Sequence, residues 1–213
     1  MGISMYLYDY IVKNYKPNEP IFASDIILPN VSDNYLGVML KQLCDEGKLK
    51  RYDTGIYYIP FESKLKRKYG IPAGMIAHYK YISRNGIIKG YYSGYTFANQ
   101  LGITRQVPYV TEIVSNDSGD KCRTIEISGH KFILRKPRLS VNVDNYRILQ
   151  FLDLVNDLER YADELNENSI EILRKYMKKS NITKGDIDKY IIFYPDKIYK
   201  NIYKIGLYDT FSP

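Results

Sequence analysis

Two pairs of carboxylates have a spacing that is compatible with catalysis. Asp153 and Asp157 are four residues apart, and Asp186 and Asp188 are two apart, so either pair could share a metal ion or a proton. On a charged helix, however, carboxylates at this spacing usually form a solvated face or offset the dipole at the helix start. We therefore predict no catalytic residues and a protein that is not an enzyme.

A glycine-rich segment, residues 93–102, is a candidate for phosphate binding, because glycines allow a backbone to approach a ligand closely. The segment lacks the Lys and Ser/Thr spacing of a P-loop, and the chain contains neither GxGxxG nor GxSxG. We therefore interpret the segment as a tight turn from a strand into a helix.

Cysteine and histidine are too sparse to predict a metal or redox site. Cys44 and Cys122 form no CxxC pair, and His78 and His130 belong to no HExxH motif. We expect no metal, no cofactor and two reduced, buried thiols in a cytoplasmic protein. The sequence predicts neither a membrane-spanning run of about 18 apolar residues nor a signal peptide at residues 1–16.

Positive charge is concentrated in the middle third of the chain. The net charge is +7, and the isoelectric point is about 9.1. Residues 71–145 carry 10 Lys and Arg against 5 Asp and Glu. A local basic excess is the electrostatic footprint of a nucleic-acid-binding protein, although a solvated face can have the same composition. The candidate DNA-binding residues of this patch are Lys131, Arg135, Lys136 and Arg138.

The first 65 residues have the order helix, helix, helix and β-ribbon. Apolar residues at helical spacing predict a first helix that ends before Pro17. Residues 22–28 predict a short second helix, and a third helix begins at a cap, Asn30 or Ser32, and ends at Gly47. Between residues 48 and 59, polar and apolar residues alternate on both sides of a glycine turn. This pattern predicts a hairpin.

This order is that of a winged helix-turn-helix, with the third helix as recognition helix and the hairpin as wing. The recognition helix would read base edges in the major groove, and the wing would contact phosphates. Residues 1–70 carry 10 basic against 8 acidic residues, so a structural or protein-binding winged helix remains an alternative. The predicted groove-facing residues are Ser32, Asp33, Asn34, Gly37, Val38 and Lys41, and the predicted wing contacts are Lys48, Lys50, Arg51 and Thr54.

The rest of the chain predicts a small α+β domain followed by helices. Strands are expected at 87–92 and 107–115, and a second hairpin at 122–135. The predicted fold class is therefore α+β, with a winged helix-turn-helix at 1–65, an α+β domain at 70–143 and a helical extension at 144–213. A connector near 62–70 separates the first two domains, and the extension is expected to pack on the second.

The segment Tyr91–Asn116 resembles the second domain of the AbiEi-type antitoxins and related bacterial winged-helix regulators. That family has a G-Y-x-A-x-x-x-L-G-L-x-x-Q-V-P stretch that leads into a strand. The segment EGKLKRYDTGIYYIP is also similar to the end of the family's wing, and the resemblance as a whole covers residues ~20–140. The residues that match in order are Gly94, Tyr95, Ala98, Leu101, Gly102, Gln106, Val107 and Pro108, with Ala98 one position later than the alanine of the family's stretch.

The resemblance implies a transcriptional repressor that is the antitoxin of an AbiE-like type IV toxin–antitoxin system. Such a protein binds double-stranded DNA at its own operator, an inverted repeat that would hold a dimer, and it counters a nucleotidyltransferase toxin in phage defence. The first alternative is a protein-interaction module whose winged helix is structural and whose acidic C-terminal helices bind a basic partner. An enzyme with dispersed catalytic residues is the weakest alternative.

Overall fold

The computed structural model describes residues 3–61 and 70–207 of the chain. The chain forms two compact units, Met1–Ile76 and Ala77–Pro213. Helices and strands are mixed in both, so the predicted α+β class is confirmed. The connector predicted near 62–70 falls mostly on residues 62–69, which lie outside the described residues. The α+β region and the helices predicted to follow it both lie in the second unit.

The first unit joins two α-helices to a three-stranded antiparallel sheet. The strand order is β1-β3-β2, so the strand that precedes helix α2 pairs with the far strand of the hairpin. In chain order the elements are α1 (Ile3–Asn14), β1 (Ile21–Phe22), a 3₁₀ turn (Ala23–Asp25), α2 (Asp33–Asp45), β2 (Lys50–Asp53) and β3 (Ile56–Tyr58).

Helix α2 forms where the sequence predicts a recognition helix. Ser32 is its cap, and a stripe of residues at helical spacing is buried against α1 and the sheet. The stripe ends at the predicted turn, where Gly47 has a φ of 74°. The buried residues of α2 are Leu36, Met39, Leu40 and Leu43.

The prediction of a helix at residues 22–28 is wrong. Strand β1 overlaps the start of this segment and pairs Ile21 with Tyr57 and Phe22 with Ile56. The next backbone amide, that of Ala23, donates a hydrogen bond of 2.8 Å to the Gly55 carbonyl. The sheet therefore engages the backbone at the start of the predicted helix, and a single 3₁₀ turn remains of it.

The second unit is built on a four-stranded sheet of order β6-β7-β9-β8. Strands β7 and β9 are parallel, and the other neighbours are antiparallel. In chain order the elements are α3 (Ala73–Tyr81), whose first four residues belong to the first unit, β4 (Ser83–Arg84), β5 (Ile87–Ile88), β6 (Gly90–Tyr92), α4 (Gly94–Leu101), β7 (Thr111–Ser115), β8 (Cys122–Ile127), β9 (His130–Arg135), α5 (Tyr146–Asn156), α6 (Leu158–Tyr161), α7 (Glu167–Lys179), α8 (Lys184–Ile191) and α9 (Lys197–Lys204).

Two predicted strands have different bounds in the structure. The strand predicted at 87–92 is divided, because β5 pairs with β4 whereas β6 pairs with β7. The strand predicted at 107–115 begins only at Thr111, and the preceding Val107 and Tyr109 are exposed. The predicted hairpin at 122–135 is confirmed as β8 and β9, which pair from Cys122 opposite Arg135 to Ile127 opposite His130.

Helix α5 is the centre of the second unit. It contacts α4, α6, α8, α9 and strand β6, and Phe151, Leu152 and Val155 are completely buried. Burial of such side chains contributes on the order of 2 kcal/mol each, so this helix anchors the unit.

Neither cysteine forms a disulfide, and their burial differs from the prediction of two buried thiols. Cys44 is half-buried, and burial raises the pKa of its thiol, whereas Cys122 is exposed at the start of β8. Within residues 3–61 and 70–207, no helix is long and apolar enough to cross a membrane.

Candidate nucleic-acid interface

All six residues predicted to face a DNA groove are exposed: Ser32, Asp33, Asn34, Gly37, Val38 and Lys41. Asn34, Val38 and Lys41 lie on the side of α2 opposite its buried stripe, whereas Ser32 and Asp33 are at the start of the helix. Asn34, Gly37, Val38 and Lys41 follow the i, i+3, i+4, i+7 spacing of one helix face. Helix α2 therefore presents an amide, a gap without a side chain, a branched apolar group and an ammonium group along a single surface.

Two of these six residues also have structural tasks. Ser32 Oγ accepts a hydrogen bond of 3.3 Å from the Tyr35 amide, which caps the helix. Asp33 lies in the first turn, where its charge offsets the helix dipole. Within the described part of the chain, the side chains of Asn34 and Lys41 have no hydrogen-bond or ion-pair partner. These two side chains are therefore free to contact a ligand.

The predicted wing residues differ in how available they are. Lys48 forms an ion pair of 2.8 Å with Glu46 and lies 5.3 Å from the centroid of the Tyr8 ring. The Glu46 carboxylate therefore raises the pKa of Lys48 above its ordinary value. Lys50 is half-buried on β2, opposite Tyr58. Lys48 is therefore paired, and Lys50 lies at the start of β2 and not at the tip of the hairpin.

Arg51 and Thr54 form the exposed tip of the hairpin. Arg51 Nη2 donates to Thr54 Oγ1 at 3.3 Å, and Arg51 Nε donates to the Asp53 carbonyl at 3.3 Å. A bulge between Arg51 and Asp53 shifts the register here, and Gly55 has a φ of 72°. The turn therefore holds the guanidinium in a fixed orientation at the surface.

The basic patch predicted in the second unit is not one continuous surface. Lys131 lies at the start of β9, opposite Glu126, about 13 Å along the strand from Arg135. Arg135 Nη2 forms an ion pair of 2.7 Å with Glu112, a buried residue. Lys136 and Arg138 follow the strand and, together with Arg135, line a cleft of about 870 Å³.

The carboxylates Asp153 and Asp157, which could have formed a catalytic pair, have different partners. Asp153 does not lie on a solvated helix face: it accepts hydrogen bonds from Tyr91 at 2.8 Å and Tyr194 at 3.0 Å. Burial raises the pKa of Asp153, and it raises the pKa values of both tyrosines as well. Asp157 instead forms an ion pair with Lys197. The expectation of a solvated carboxylate is therefore wrong for Asp153.

Asp186 has the helix-start role that the sequence suggests. Its carboxylate accepts hydrogen bonds from the Thr183 amide and hydroxyl, and the Asp186 amide donates to Thr183 Oγ1 at 3.1 Å. This reciprocal pair is a capping box at the start of α8. Among the described residues, no three His, Cys, Asp or Glu side chains are grouped so that they could hold a metal.

Glu112 is the buried charged residue that sequence reasoning missed. It lies on β7, and its Oε1 accepts a hydrogen bond of 3.3 Å from the Tyr95 amide at the start of α4. Gly94 has a φ of 56°, and a Cβ on it would lie 2.3 Å from Glu112 Oε1. The glycine is therefore needed for a close approach between the turn and the carboxylate, as the interpretation of a tight strand-to-helix turn requires.

Comparison with models of known protein families finds no model that matches this chain. Comparison with curated proteins finds no match either. The assignment of a function therefore depends on the residues and on the geometry of the two surfaces described above.

Proposed function

We propose that the protein is a DNA-binding transcriptional repressor, with α2 as its recognition helix and the β2–β3 hairpin as its wing. The observation that carries this proposal is the exposed face Asn34–Gly37–Val38–Lys41, whose polar side chains have no partner in the described part of the chain. A major groove about 12 Å wide admits such a helix, and Gly37 allows the backbone to approach the base edges closely.

Each residue of the face has a role that its chemistry suits. The Asn34 amide can form two hydrogen bonds to an adenine, and Val38 can contact the methyl group of a thymine one helical turn away. Lys41 and Arg51 would contact phosphates, which fixes the orientation of the helix without reading sequence. The site would therefore prefer an A/T-containing half-site.

The element order of the first unit supports a winged helix-turn-helix. Helix, short strand, turn, helix and hairpin follow one another, and the short strand β1 adds to the hairpin strand β3. The first helix of the helix-turn-helix pair would be represented by the 3₁₀ turn Ala23–Asp25 and the residues that follow it up to Pro29. The longer α2 would then be presented by the core formed with α1 and the sheet.

The resemblance of residues 91–116 to AbiEi-type antitoxins extends the proposal. We infer that this repressor is the antitoxin of an AbiE-like type IV pair, acting in the cytoplasm on its own operator and against a nucleotidyltransferase toxin in phage defence. The tight Gly94–Glu112 approach and the left-handed cap at Gly102, with a φ of 80°, give the matched glycines a physical reason.

DNA binding is tested with single charge-removing variants and a matched control. Lys41→Gln and Arg51→Ala are each expected to weaken binding to the DNA upstream of the gene about three- to tenfold, and to reduce the salt slope by about one unit. Lys13→Gln, on the last turn of α1, removes the same charge from another surface and is expected to bind as the wild type does. An equal loss of DNA affinity in all three variants would contradict the assignment of α2 as the recognition helix.

The antitoxin role has a separate test. Co-expression of the chain with a nucleotidyltransferase encoded beside it is expected to restore growth that the toxin alone arrests. Growth arrest that persists despite abundant intact chain would overturn the antitoxin role, and it would leave the DNA-binding proposal to its own assay.

A protein-interaction module is the second candidate, and the exposed apolar residues of the first unit favour it. Ile27 is 83% exposed and Val38 is 61% exposed. If these residues bind a protein, Val38→Ser will abolish co-purification of a partner, and Lys41→Gln will not. If they bind DNA, Val38→Ser will instead weaken binding to the A/T-containing site by ~1 kcal/mol or more.

A further inference from the structure

The cleft of the second unit has two chemically different walls. One wall is formed by the ends of β8 and β9 and carries Lys121, Lys136 and Arg138. The opposite wall is formed by α5 and α6 and carries Asn156 and Tyr161. The cleft volume of about 870 Å³ is within the range of small-molecule sites.

The basic wall has positive charge that the protein itself does not neutralise. Within the described residues, neither Lys121 nor Lys136 has a carboxylate partner, and both are exposed. Arg138 lies 3.9 Å from Asp153 and covers the Tyr194 ring at 4.8 Å, with its outer side still accessible. Arg135 Nε is buried and has no hydrogen-bond partner. This wall is therefore suited to a ligand with more than one negative charge.

Asn156, in the opposite wall, has a buried hydrogen-bond acceptor without a donor. Asn156 is only 4% exposed, and its Nδ2 donates to Asp157 Oδ2 at 3.1 Å, but its Oδ1 has no partner. A buried acceptor in this state costs free energy unless a ligand or water donates to it. Tyr161 also lines the cleft, and its ring is 3% exposed and packs edge-on against the Tyr95 ring. This wall therefore suits a donor group attached to a flat or apolar body.

The shape and charge of the cleft disfavour duplex DNA as its occupant. The surface is concave, Lys131 lies outside it, and the carboxylates of Asp153 and Asp157 face it from the helical wall. A phosphate backbone that followed the basic wall would approach these carboxylates. A compact ligand with an anionic end and a donor-bearing end fits both walls.

We propose that this cleft binds a nucleotide, with the phosphate on Lys121, Lys136 and Arg138 and the nucleoside toward Asn156 and Tyr161. The residues of the cleft are distant in sequence from those of the α2 face. The proposal of a nucleotide site therefore does not depend on the proposed DNA-binding function. It gives the second unit a ligand of its own.

The test is calorimetric titration of the intact chain with AMP, GMP, CMP and UMP as probes. At least one of them is expected to bind with a dissociation constant below about 1 mM. Lys121→Gln and Lys136→Gln are expected to weaken that binding about tenfold, because each removes a charge-assisted contact to the phosphate. Lys131→Gln removes the same charge from the same hairpin outside the cleft, and it is expected to have no effect.

Three results would overturn the proposal. The first is no binding of any of the four nucleotides up to about 5 mM. The second is an equal loss in Lys131→Gln and in the two cleft variants, which would indicate a general charge effect. The third is binding of inorganic phosphate or of the free nucleosides as tight as that of the nucleotides. DNA binding by the same samples is measured separately, so failure of one proposal is distinguishable from failure of the other.

Discussion

At the scale of single residues, local patterns predict local partners and miss distant ones. The sequence identifies Ser32 as a helix cap because its partner, the Tyr35 amide, is three residues away. It places Asp153 on a solvated face because its partners are far along the chain: Tyr91 is 62 residues away and Tyr194 is 41 residues away. No periodicity brings these three together, since only the packing of α5 against β6 and against the segment between α8 and α9 does so.

The pH dependence of stability distinguishes Asp153 from an ordinary surface carboxylate. Burial holds the pKa of Asp153 above its ordinary value, although the two tyrosine hydroxyls, Arg138 and Arg135 favour its charged form. The folded state therefore keeps a proton that the unfolded state releases, and the stability due to Asp153 falls as pH rises above about 4. The stability of the wild type relative to Asp153→Asn is expected to decrease between about pH 4 and pH 7 in urea unfolding.

Asp163 is the matched control, because its pKa is shifted in the opposite direction from that of Asp153. Hydrogen bonds from Thr104 Oγ1 and the Arg105 amide lower the pKa of Asp163. The stability that it contributes is present above its ordinary pKa and is lost as pH falls. The stability of the wild type relative to Asp163→Asn should therefore increase with pH, and parallel curves for the two variants would contradict the account.

Gly94 is expected to tolerate alanine less well than other glycines with positive φ. In Gly94→Ala the new Cβ would meet the Glu112 carboxylate, which Arg135 and the Tyr95 amide hold in place. We expect a loss of about 2–4 kcal/mol, from backbone strain together with the broken carboxylate contacts. Gly102→Ala introduces backbone strain alone, since nothing lies within 4 Å of its Cβ position. It should lower the free energy of unfolding by only about 1 kcal/mol. Equal losses in urea unfolding would contradict the role of Glu112.

At the scale of elements, amphipathic helices and the two hairpins follow from the sequence, whereas short elements depend on tertiary pairing. Helix α2 and the β8–β9 hairpin are within a residue or two of their predicted bounds. The segment at 22–28 has apolar residues that suit a helix or a strand, and its pairing with β3 decides the outcome. The sequence predicts a strand through the exposed loop before β7, because Val107 and Val110 are β-formers, but β7 begins only at Thr111.

The cap of α2 gives an element-scale prediction. Ser32→Ala removes the acceptor for the Tyr35 amide and is expected to destabilise the first unit by about 1 kcal/mol in chemical denaturation. Ser32→Asp retains an acceptor and should stay close to the wild type. Ser24→Ala removes an exposed serine that caps no helix, so it serves as the control. A loss in the control as large as that in Ser32→Ala would contradict the cap assignment.

At the scale of the whole molecule, the net charge of +7 favours contact with anions but does not place a site. Within the first unit the candidate basic residues lie on the α2 face and at the hairpin tip, and within the second unit they line the cleft. The sequence predicts the first two surfaces, because helix periodicity and a glycine turn define them. It could not predict the cleft, whose walls come from strands and helices that are distant in the chain.

The most direct test of DNA recognition is fluorescence anisotropy with the DNA upstream of the gene and a scrambled fragment, each at two salt concentrations. The account predicts tighter binding to the upstream DNA, with an affinity that falls as salt rises by about one log unit per log unit of salt for each phosphate contacted. Equal, weak binding to both fragments at both salt concentrations would contradict it, because the exposed face of α2 would then read no sequence.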